Sequence, residues 1–170
     1  MDGLKKLVGA NLHSNFSITA TPNTNLIIAG MENFFQVKLD NSEQSAPITR
    51  SRISLTRTVT VKGHPNPKLK VAGEEIAAES YKGANPKQLV TLHMKLLTPL
   101  EVTERHLFNT VDGTTKYGSL LAPSYEGHLI EVSYAYEIRA WRKAMIGSDK
   151  LNVMSIPVTV AKLPPGAQLP

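Results

Sequence analysis

The chain of 170 residues contains no cysteine. That absence excludes a disulfide framework, a thiolate zinc site and a cysteine nucleophile together, and it fits a reducing compartment. No window approaches the ~20 consecutive apolar residues of a membrane-spanning helix. The N-terminal MDGLKKLVGANLH starts basic but lacks the apolar run of a signal peptide. There is no H-E-x-x-H pair, no G-x-S-x-G elbow and no glycine-rich phosphate loop. No carboxylates fall at calcium-loop spacing. The expectation is therefore a protein that is not an enzyme and carries no cofactor or metal.

What remains is a chain suited to one domain or two small ones. At this size it can bury roughly 70% of its unfolded surface, so a core needs no covalent or metal staple. The net charge is +5, from 19 basic and 14 acidic residues. No acidic residue lies between Glu43 and Glu74, where Arg50, Arg52, Arg57, Lys62, Lys68 and Lys70 all fall. The sequon Asn15-Phe16-Ser17 carries no weight without a secretion signal.

Period-two alternation dominates, as in half-buried strands. Phe16, Ile18 and Ala20 share one parity; so do Phe35, Val37 and Leu39, before a turn at Asp40-Asn41. In ITRSRISLTRTVTVKG, Ile53, Leu55, Val59 and Val61 share a face with Arg57, opposite Arg52, Ser54, Thr56, Thr58 and Thr60. The loop GHPNP follows. KLKVAGEEIAAES is ambiguous: Leu69 and Val71 begin a strand, Gly73 marks a bulge, and GEEIAAES suits a helical turn. Val90, Leu92, Met94 and Leu96 form the next apolar face. Residues 101–128 read as a long loop with turns at Asp112-Gly113 and Pro123-Ser124. The ribbon HLIEVSYAYEIRAWRK then places Ile130, Val132, Tyr134, Tyr136, Ile138 and Ala140 on one face. In the last strand Met154, Ile156, Val158 and Val160 align, and Pro157 on the other parity implies an edge or bulge. The expected fold is all-β: one immunoglobulin-like antiparallel β-sandwich of about seven to eight strands with Greek-key connections. A closed barrel is the rival.

The order of these segments resembles the C-terminal domain of the arrestin family, especially the alpha-arrestins. The segments concerned are FSITATPNTNLIIAGMENFFQVKLDNS, PITRSRISLTRTVTVKG, HLIEVSYAYEIRAW and LNVMSIPVTVAKLPPG. The resemblance covers about Asn15 to Gly166. It divides the chain into an N-terminal arm or linker (1–14), the sandwich (15–166) and a short tail (167–170). Arrestins carry two such sandwiches, and LPPGAQLP lacks the PPxY motif that alpha-arrestins place downstream. The resemblance implies a cytoplasmic adaptor, peripheral at membranes, that binds cytoplasmic segments of membrane proteins and couples them to trafficking or signalling machinery. A self-assembling coat- or matrix-like sandwich is the alternative, as is a lipid- or carbohydrate-binding module.

For chemistry, the best candidates are basic. Arg50, Arg52, Lys62, Lys68 and Lys70 suit a phosphate-bearing or acidic partner, including anionic or inositol lipids. Solubilising charge that protects a strand edge is the plain alternative. Nucleic acid is disfavoured, because no aromatics interleave with these charges. Trp141, beside Arg142 and Lys143, is a candidate partner anchor, or else a ring folded over a sheet edge. Self-association stays open. Arg57, on an apolar face, requires a carboxylate, with Glu137 or Glu131 expected to supply it. Tyr134 and Tyr136 are expected in the core with hydroxyls at its edge. Glu74-Glu75 reads as a solvated loop pair pointing apart, and His93 as exposed.

Overall fold

Along residues 32–41, alternate side chains from Asn33 to Asn41 are buried and those between are not. This is a period-two pattern turned into two faces. The computed structural model describes residues 16–63, 71–105, 116–143, 146–161 and 166. The elements are β1 (Ser17–Pro22), β2 (Leu26–Ile28), β3 (Glu32–Asn41), β4 (Ile48–Val61), β5 (Val71–Ala84), β6 (Gln88–Leu97), β7 (Glu101–Arg105), β8 (Lys116–Leu120), β9 (Tyr125–Glu126), β10 (Ile130–Lys143) and β11 (Ser148–Ala161). Six of the seven longest are segments whose alternation the sequence displays, and the seventh, β5, is the one it leaves ambiguous. The other four have five residues or fewer.

The strands form a three-stranded sheet, β1-β3-β6, and a larger one, β2-β11-β10-β4-β5, with β9 beside β10. Val37 and Leu39 from the first, and Ile53, Leu55, Tyr136 and Ile138 from the second, are fully buried in one core. Removing each such side chain from water contributes about 1.5–3 kcal/mol before entropy is counted. The Phe35 and Tyr136 rings meet edge to face, 4.6 Å between centroids. Burial pushes the Tyr136 phenol up from its ordinary range. Its oxygen accepts a bond from the Asn33 amide at 3.3 Å, and the same amide donates to the Thr24 carbonyl at 3.1 Å. Tyr134 donates its hydroxyl to the Ala122 carbonyl.

Asn41 closes one end. Its buried amide donates to the carbonyls of Ala46 and Asn85, each at 3.0 Å, tying the β3–β4 connection to the β5–β6 turn. The turn after β3 forms at Asp40, whose carboxylate accepts from the Ser42 hydroxyl and N–H and is held below its ordinary pKa by them. On one side of the sandwich, Tyr81 of β5 reaches β6. Its hydroxyl accepts from the Lys95 N–H at 2.7 Å and donates to the Lys95 carbonyl at 2.9 Å. A side chain thus occupies backbone groups that an edge strand otherwise offers to another chain.

Four sequence readings need correction. Residues 71–84 are strand throughout, without a helical turn, because pairing with β4 continues along them. The bulge is not at Gly73. Leu55 opposes Ala77 and Thr56 opposes Glu75, so Ile76 is the extra residue. Residues 101–128 are not structureless, since β7 and β8 pair antiparallel and Val102 and Leu121 enter the core. Pairing is not purely antiparallel either, as β2 lies parallel to β11 over Thr159–Ala161. Pro157 sits just before that segment. The Thr159 N–H points towards β2, to the Asn25 carbonyl, so the Pro157 nitrogen two residues earlier faces the same, uncovered side. Of the edge or bulge that the sequence implies for Pro157, this is an edge position. The N-terminal arm, Leu69, Asp112 and His13, His64 and His106 lie outside the described residues.

Candidate recognition surface

The outer face of the larger sheet gathers the charged positions. Outward parity on β4 places Arg50 and Arg52 there. Register brings Lys82 of β5 and Trp141 of β10 into the row of Arg50, and Ser80 and Arg139 into the row of Arg52. Directly opposed side chains on one face of a sheet lie ~5 Å apart at Cβ, so these rows are contact rows.

In the second row, Arg52 and Arg139 face each other as like charges, which destabilises unless each is neutralised. Each is. Arg52 pairs with Glu75 at 2.5 Å, and Arg139 with Glu137. Ser54, next along β4 between Ala78 and Glu137, is 2% exposed despite its outward parity. The central strand is flanked on both sides, and long charged stems beside it cover small residues.

In the first row the Arg50 guanidinium stacks over the Trp141 ring, 4.1 Å from its centroid. Such a contact contributes about 0.5–1 kcal/mol at an exposed site. Arg50 and Lys82 are exposed, and among the described residues neither forms an ion pair. Lys143 is exposed at the end of β10, and Arg142 is half-buried. The two sets of candidates named from sequence therefore meet at Arg50 and Trp141. Lys62 lies at the other end of β4, 3.9 Å from both Glu126 and Glu131. Lys68 and Lys70 lie outside the described residues. Lys82 is not legible from sequence, because nothing in KVAGEEIAAESYKG marks which residues of β5 share a face with Arg50. The bulge at Ile76 resets that parity.

Arg57 does meet a carboxylate, but it is Glu74 at 2.8 Å rather than Glu131 or Glu137. Glu74 is its direct cross-strand partner, on the inward side, whereas Glu137 belongs to the outward side. Glu74 and Glu75 do point apart, each to a different arginine, from a strand and not a loop. His93 and His128 are both exposed. Among the described residues no three His, Asp or Glu side chains cluster as a metal site. No helix of the described residues is long and apolar enough to cross a membrane.

No protein-family model matches the chain, and no curated protein matches it. Among solved structures it is similar to Spo0M, a sporulation control protein from Bacillus subtilis, with a TM-score of 0.59 and 13% identity. The match covers 88% of this chain and 50% of the Spo0M chain, so this chain spans half of that protein's length. At such identity the likeness concerns the fold alone, and it supports the β-sandwich class.

Proposed function

We propose that this chain is a non-catalytic recognition domain of arrestin type, an adaptor that binds acidic cytoplasmic segments of membrane proteins in trafficking or signalling. The observation that carries it is the Arg50–Trp141 stack with Lys82 alongside. Elsewhere on this face Arg52, Arg139 and Lys62 each have a carboxylate within reach, whereas Arg50 and Lys82 keep their charge available. A guanidinium held flat on an indole is pre-oriented for a carboxylate or phosphate, so less side-chain entropy is lost on binding. The resemblance in segment order and the sandwich fold support the adaptor reading by analogy.

The test is fluorescence anisotropy with labelled extended peptides, acidic against neutral. The acidic peptide binds, binding weakens with salt, and Arg50→Glu abolishes it. Lys38→Glu, the same charge change on the three-stranded sheet, leaves it intact. Equal binding of both peptides, or equal loss in both variants, removes the proposal. Binding to anionic vesicles but to neither peptide replaces it with a lipid-binding module.

Self-assembly is the second reading. Leu120, Tyr125, Leu129 and Ile130 are all exposed. Light scattering across a concentration series decides it, since growing oligomers favour a structural protein.

A further inference from the structure

The outer face of the three-stranded sheet carries a different feature. Register aligns Thr21, Gln36 and His93 in one row across β1, β3 and β6. Phe34, two residues before Gln36 on the same face, is 52% exposed. These residues, with Pro22 and Asn23, line an open pocket of about 290 Å³. That is near the lower end of small-ligand sites.

Its chemistry is selective. No Asp, Glu, Lys or Arg lines it. Charges stand only at its margin, where Lys95 pairs with Glu32 at 3.6 Å and Lys38 follows Gln36 on the same face of β3. The lining therefore suits a neutral ligand. Thr, Gln, Asn and His side chains each combine donor and acceptor capacity, which is what a hydroxyl requires of its neighbours. Asn23 is held in place: its N–H donates to the Phe34 carbonyl at 2.9 Å and its side-chain oxygen accepts the Phe34 N–H at 3.2 Å. Among the described residues its amide nitrogen has no such bond. The sheet thus fixes the aromatic platform to the row Thr21–Gln36–His93, and Asn23, in the bend after β1, is tied to Phe34.

We propose that this pocket binds a neutral saccharide, one pyranose ring lying with its C–H face on Phe34 and its rim hydroxyls towards Thr21, Asn23, Gln36 and His93. A flat ring with an apolar face and hydroxyls around its edge matches an aromatic plate bordered by uncharged groups that both donate and accept. An anionic ligand finds no cation among the lining residues, and an aliphatic one leaves the polar row unpaired. This site is separate from the Arg50–Trp141 face and does not depend on its role.

The experiment is a titration of the ¹⁵N-labelled chain with methyl glucoside, methyl galactoside, methyl mannoside, and linear α- and β-linked glucose tetrasaccharides. At least one probe produces saturable shifts confined to the amides around Thr21, Phe34, Gln36 and His93. Phe34→Ala abolishes saturation and Gln36→Ala weakens it roughly tenfold, as for one lost hydrogen bond. Leu89→Ala, exposed on the same sheet outside the pocket, leaves it unchanged. Phe34 is exposed, so its variant retains the fold, which the same spectra report. The proposal is overturned if no probe saturates, if shifts persist in Phe34→Ala, or if they follow protein concentration instead of sugar.

Discussion

Tyr136 and Phe35 touch edge to face from opposite sheets, and the Tyr136 oxygen is bonded to Asn33 beside Phe35's own strand neighbours. One residue of the long ribbon therefore joins the two layers by both an apolar and a polar contact. Tyr136→Phe keeps the ring contact and takes away one acceptor of a buried amide. The expected loss is ~1 kcal/mol in urea denaturation, whereas Tyr136→Ala costs about 3–5 kcal/mol through the cavity.

The same residue gives a pH dependence. Burial raises the folded pKa of Tyr136 above its ordinary value of 10.0. The unfolded chain ionises first, so this contribution is complete below that value and is lost as pH rises through the folded pKa. Urea midpoints measured from about pH 8 to pH 11 should fall more steeply for the native chain than for Tyr136→Phe.

Arg57 is 8% exposed and Glu74 is its cross-strand partner. Glu74→Ala leaves a buried guanidinium short of a carboxylate. Because the Glu74 side chain is 49% exposed, the cost is on the order of 1–2 kcal/mol, below the 3–5 kcal/mol of a fully buried pair. Arg57→Met removes the buried charge itself and should cost less than Glu74→Ala. Thermal unfolding of the two variants side by side checks the order.

Gly83 packs against the neighbouring strand so closely that a Cβ there would lie 1.8 Å from the Ile48 carbonyl oxygen. Backbone must move to admit it, so Gly83→Ala should destabilise by several kcal/mol or unfold the chain, about the scale of overpacking and beyond. Gly73→Ala, on the same strand with open space around it, should be tolerated. Circular dichroism melts distinguish the two.

The core was legible because one parity rule sufficed for it. Ile53, Leu55, Tyr136, Ile138 and Val37 are buried where alternation puts them. Pairs across strands were not legible. Which carboxylate meets Arg57 depends on the register of β4 against β5, and a one-residue bulge at Ile76 alters that register. Arg50 and Trp141 were each singled out, but their contact exists only because β4 and β10 pair antiparallel along their whole lengths. The row Thr21–Gln36–His93 needs three strands placed together, and no single segment displays it. The antiparallel pair β7 and β8 is not legible from sequence because its short strands lie in a stretch dominated by turn residues.

Arg50 and Trp141 are the centre of the proposed recognition surface. The chain has a single tryptophan, so its emission reports that surface alone. Titrating the unlabelled acidic peptide into the native chain should give a saturable change in Trp141 emission that is absent in Arg50→Glu and weakens as salt is raised. Emission that stays constant while the peptide binds would place recognition elsewhere and contradict the account.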